Sequence, residues 1–162
     1  MSIAQILITG VAATVAMDLW AQFLKLVFRI PAPNWGFVGR WVAYLPKGRF
    51  IHRPIADTPE VGGERAIGWF FHYAVGVLYA AAYLALMILA LSREPDLWSA
   101  ILFSLATITA GWFILQPGLG VGAMARLSDN PGLVRVVGLS AHVVFGIGLY
   151  AGFEIATVLA SG

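Results

Sequence analysis

Four uninterrupted apolar stretches, at residues 4–28, 66–92, 98–119 and 136–160, run through this chain of 162 residues. Each is near or above the ~20 residues that a helix needs to cross ~30 Å of hydrocarbon. Lipid offers backbone N–H and C=O groups no water to bond, so a spanning segment must satisfy them internally, and long apolar runs do so as helices. The pattern predicts an all-α membrane protein, a four-transmembrane-helix bundle forming a single integral membrane domain over residues 1–162. Composition agrees: 60% of residues are hydrophobic and 11% charged, against roughly half and a quarter in soluble domains. The first stretch is expected to remain as a helix rather than be cleaved. No basic residue precedes it, Asp18 interrupts it, and no small-residue cleavage site closes it.

Loop charge sets the expected topology. Lys25, Arg29, Arg40, Lys47, Arg49, Arg53 and Arg65 fall on or beside the first loop, Arg126 and Arg135 on the third, and only Arg93 on the second. This asymmetry predicts that the first and third loops are cytoplasmic and both termini periplasmic, in a bacterial inner membrane. Trp35, Trp41, Tyr44 and Trp98 suit interfacial anchors.

The cytoplasmic loop, residues 30–64, is too polar and too rich in Pro and Gly to span. Within it Trp35, Val38, Trp41 and Leu45 recur at helical spacing with Arg40 off the stripe, which predicts a short interfacial helix. Lys47, Arg49, His52 and Arg53 follow. Together with Arg40 they are a candidate contact for anionic lipid headgroups or a phosphate. Glu64 is read as a helix-start acid favoured by the dipole.

Two segments share one frame: RAIGWFFHYAVG at 65–76 and RVVGLSAHVVFG at 135–146. Arg65, Gly68, His72 and Gly76 correspond to Arg135, Gly138, His142 and Gly146. Both helices run the same way, so the match predicts a parallel two-helix duplication. Each His lies seven residues past its Arg, ~10 Å inside the boundary at 1.5 Å per residue. Asp18 on the first helix and Gln116, before the Pro117 break in LQPGLG, fall near the same depth. Intramembrane polar groups need an interior partner or a wet cavity. Three readings follow. Facing His72 and His142 could ligate haem b, with Gly68, Gly76, Gly138 and Gly146 clearing space and Arg65 and Arg135 reaching the propionates. His72, His142, Asp18 and Gln116 could hold a divalent metal. The same layer could serve a proton-coupled small-solute or ion transporter. Against these stands a purely structural network in an assembly subunit, since small residues spaced by four also mark close helix packing.

The chain has no cysteine, which removes disulfides, thiolate metal sites, iron–sulfur clusters and covalent haem. No Ser–His–acid constellation and no Gly-rich phosphate motif is visible, so hydrolase or nucleotide chemistry and nucleic-acid binding are not expected. The bilayer, anionic lipid and a second membrane chain, identical or not, are the expected partners.

The stretches MDLW, VGRW, PKGRFIH, GERAIGWFFHY, LQPGLG and AHVVFGIGLY resemble a bacterial family of small four-helix membrane proteins, the domain of unknown function 2938. The resemblance runs over nearly the whole chain. It implies an integral inner-membrane protein of four helices, and no activity, cofactor or catalytic residue.

Overall fold

The computed structural model describes residues 1–161. Its elements are α1 (Ile3–Phe28), α2 (Trp35–Tyr44), α3 (Glu64–Ala90), α4 (Leu97–Leu119) and α5 (Pro131–Ser161). All but α2 are long and apolar enough to span a membrane, and the protein is a multi-pass, all-α membrane bundle. The helices start where local chemistry directs. Ser2 and Gln5 form a reciprocal capping box on α1. Asn34 caps α2, and Asp96 accepts from the amides of Trp98 and Ser99 to open α4. Asn130 accepts from the Leu133 amide with Pro131 in the first helical position, so α5 begins at 131 rather than near 136.

Two helices contain a widened π turn, Ala85–Ala90 in α3 and Gly111–Leu115 in α4. The second lies directly before Pro117, which has no N–H for the carbonyl one turn back. The break expected at LQPGLG thus takes the form of a π turn, one further helical turn, and a stop at Gly120, whose φ is +89°.

The chain folds as two compact units. The first comprises Met1–Ala32, Tyr73–Thr107 and the chain from Ser140. Its core is Ala13, Ala80, Tyr83, Leu84, Met87, Ala100, Phe145 and Leu149. Here helices meet backbone to backbone. A Cβ on Gly10 would lie 2.6 Å from Val77 Cα, one on Gly146 2.6 Å from Ile101 Cα, and one on Gly148 2.7 Å from Ala13 Cα. Between α3 and α4, the Tyr83 hydroxyl bonds Ser99 Oγ at 2.9 Å.

The second unit comprises Pro33–His72 and Ile108–Leu139. In it α2 lies across the start of α3: a Cβ on Gly68 would strike the Trp35 carbonyl, and one on Gly39 the Glu64 carbonyl. The buried residues of α2 are Gly36, Val38, Gly39, Arg40 and Trp41. Arg40, expected off the packed stripe, is therefore inside it.

Gly68 and Gly138 occupy equivalent places in the duplicated frame, yet their surroundings differ. A Cβ on Gly138 would meet nothing closer than Ile108 Cδ1 at 3.5 Å. Gly68→Ala and Gly146→Ala should each destabilise by about 1–3 kcal/mol through overpacking against backbone, whereas Gly138→Ala should be neutral or stabilising through helix propensity. Thermal unfolding of the three variants in one detergent checks this; equal losses at all three would contradict the packing described.

Candidate functional site

Arg40 is the most enclosed charge of the second unit, 2% exposed, and such a group persists only when paired. Its Nε and Nη2 donate to the two Glu64 carboxylate oxygens at 2.7 and 2.8 Å. Its Nη1 donates to the Thr58 carbonyl at 2.7 Å and, at 3.4 Å, to those of Ile55 and Ala56. Glu60 adds an ion pair at 3.2 Å. One side chain of α2 thereby ties the start of α3 to the loop at 55–60. This overturns its reading as an anion or headgroup ligand, because each nitrogen of the buried guanidinium is engaged by this chain. Glu64, read as a helix-start acid, is the principal counter-charge.

His52 is likewise interior, 1% exposed, and does not face headgroups as expected. Its Nδ1 bonds Thr58 Oγ1 at 2.8 Å, and its amide donates to the Gly118 carbonyl at the end of α4 at 3.0 Å. The Tyr44 ring stands edge-on to the imidazole. Among the described residues Nε2 has no partner. Burial lowers the His52 pKa, and the Arg49 charge lowers it further. Lys47, Arg49 and Arg53 are exposed as expected, with Lys47 and Arg49 flanking Tyr44 at 4.6 and 5.6 Å from its ring centre.

The intramembrane positions distribute between the units. In the first, Tyr73 Oη donates to Asp18 Oδ2 at 2.9 Å, both residues half-buried. Trp20 Nε1 donates to Ser140 Oγ at 2.9 Å, Thr14 Oγ1 to the Gly10 carbonyl, and Ser104 Oγ to the His142 carbonyl. In the second, the His72 ring stacks on Trp35, centroids 3.9 Å apart and 25° from parallel, with Trp69 at 6.0 Å. Gln116 Oε1 is buried without a partner among the described residues.

These surroundings correct the expected roles of the frame residues. The space at Gly68 is filled by the Trp35 backbone, that at Gly76 by the Thr14 side chain, and that at Gly146 by the α4 backbone. These glycines let helices touch rather than admit a porphyrin. Trp35 covers one face of His72, and Arg135 Nε donates to the Met124 carbonyl at 2.9 Å, which ties it to the third loop. Among the described residues no three His, Asp or Glu gather to hold a metal ion. Sequence reasoning missed Tyr73 and Trp35 as partners. The signal for Trp35 was its seat on a helix with Gly39, opposite another with Gly68; for Tyr73 it was an intramembrane Asp in need of a donor.

Residues 7–156 match a family described as "Protein of unknown function (DUF2938)". The chain belongs to this family. No curated protein and no solved structure matches it.

Two outcomes follow for the loop. Arg40→Ala strands Glu64 and three carbonyls, and should cost about 3–5 kcal/mol; Arg40→Lys, lacking the fork, should recover less than half. Thermal unfolding and proteolysis of the loop measure both, and protease resistance equal to wild type would contradict the clasp. For His52 the folded pKa lies below the ordinary value of about 6.5, so the unfolded chain binds more protons between the two values. Its contribution is complete above pH ~6.5 and is lost as pH falls through the folded pKa. His52→Gln should flatten that acid-side loss in Tm, and an unchanged profile would remove His52 as its source.

Proposed function

We propose that this protein is a proton-coupled carrier of a small solute or ion, with Asp18 as the group that takes up and releases the proton and Tyr73 as the donor that positions it. The observation that carries this reading is the 2.9 Å bond from Tyr73 to Asp18 inside two membrane-spanning helices. A carboxylate there is expensive, and such residues mark ion or proton pathways. The neighbouring Trp20–Ser140 bond supplies further polar groups in the same unit. The haem reading draws less support because the spaces at Gly68, Gly76 and Gly146 are already filled, and the metal reading because among the described residues no three His, Asp or Glu gather. In this reading the protein lies in the bacterial inner membrane with both termini periplasmic, supported by the crowding of basic residues on the first and third loops.

Purified protein in proteoliposomes on a solid-supported membrane should give a charge movement on a pH jump. Asp18→Asn should abolish it, and Tyr73→Phe should reduce it while leaving the fold intact. A wild-type current in Asp18→Asn would remove Asp18 from the pathway. For topology, a C-terminal alkaline phosphatase fusion should be active; an inactive one, with a C-terminal green fluorescent fusion that glows, would invert the orientation.

A further inference from the structure

The tip of the first loop presents apolar side chains that the fold itself holds out. Phe50 is 62% and Ile51 58% exposed, yet the backbone on both sides of them is fixed. The Phe50 carbonyl accepts from Trp41 Nε1 at 2.9 Å, the His52 amide donates to Gly118, and the amides of Gly48 and Arg49 bond the carbonyls of Leu45 and Tyr44. The buried His52 side chain next door anchors the turn from inside. A pair of large apolar residues on a pinned turn costs little entropy to bury elsewhere. Around them stand Lys47, Arg49 and Arg53, all exposed, the first two already placed beside the Tyr44 ring. Arg40, which the fold needs for its clasp on Glu64, is inside; these three are turned outward.

From this arrangement we infer that residues 47–53 form a docking surface for the anionic phospholipid headgroup region, with Phe50 and Ile51 entering the interface and Lys47, Arg49 and Arg53 contacting phosphates. The loop follows one membrane-spanning helix and precedes another, so connectivity keeps this turn at a membrane surface. Apolar tip and cationic rim match the two layers there: acyl boundary below, anionic headgroup above. The surface is independent of the Asp18–Tyr73 reading and needs no transport to operate.

The chain has no cysteine, so a spin label placed by Phe50→Cys, or separately by Ile51→Cys, is unique. The full-length protein in phosphatidylcholine vesicles, with and without phosphatidylglycerol, is read by its accessibility to oxygen and to a water-soluble nickel chelate, with Asp57→Cys as the exposed reference. In phosphatidylglycerol vesicles both tip labels should be oxygen-accessible and chelate-shielded while the reference stays chelate-accessible. Each of Lys47→Gln, Arg49→Gln and Arg53→Gln should weaken the preference for phosphatidylglycerol by about fivefold. Chelate access at the tip equal to the reference overturns the proposal. So does the same shielding in phosphatidylcholine alone, or shielding there induced by inorganic phosphate, which would assign the cations to a soluble anion.

Discussion

Close approach of helix backbones at glycine is the constraint on which the remaining structure depends. Inside a bilayer apolar surface gains nothing by leaving lipid for protein, so helices are held by van der Waals contact and hydrogen bonds, and small residues decide where contact occurs. Gly10 lies on Val77, Gly146 on Ile101, Gly152 on Thr9, and Gly39 and Gly68 on each other's helices. Large side chains are correspondingly released outward: Leu19, Leu26, Phe70, Leu78 and Leu102 are all more than 60% exposed, where lipid receives them. The same contact sets α2 against the start of α3, close enough for Arg40 to reach Glu64.

Polar groups inside such a scaffold fall into two kinds. Arg40 and the loop carbonyls it gathers are saturated, and their consequence is rigidity: a loop clasped to a helix start. The Asp18–Tyr73 pair is different in character. Its members are half-buried rather than sealed, and a carboxyl with a phenol donor can exist in either protonation state without losing its hydrogen-bond partner. That chemical difference separates the clasp, which is architecture, from the pair on which the proposed carrier function rests.

Much of the fold was legible in the sequence because a membrane helix declares itself through length and composition alone. The starts and stops needed finer signals. The Asn130–Pro131 start of α5 was written in the chain but overshadowed by Arg135, which invited the boundary further along. The site was less legible, because the frame Arg–Gly–His–Gly repeats in two places whose surroundings are unlike. At 65–76 the glycine before His72 receives another helix's backbone; at 135–146 the glycine before His142 meets the side chains of Ile108 and Trp112 at ordinary contact distance. Spacing records which residues share a face, and what crosses that face is a tertiary fact. Arg40 misled for a related reason: periodicity assigns a charge to the polar side of a short helix, whereas a bidentate carboxylate and three carbonyls can take it inside.

In the proposed carrier Asp18 takes up and releases a proton in the membrane while bonded to Tyr73. Infrared difference spectroscopy of the protein in lipid, recorded between neutral and acidic pH, tests it most directly. A carboxyl C=O band should appear on acidification, be absent in Asp18→Asn and change frequency in Tyr73→Phe, which alters its hydrogen bonding. A spectrum with no carboxyl band removed by Asp18→Asn, in protein shown to be folded, would contradict it.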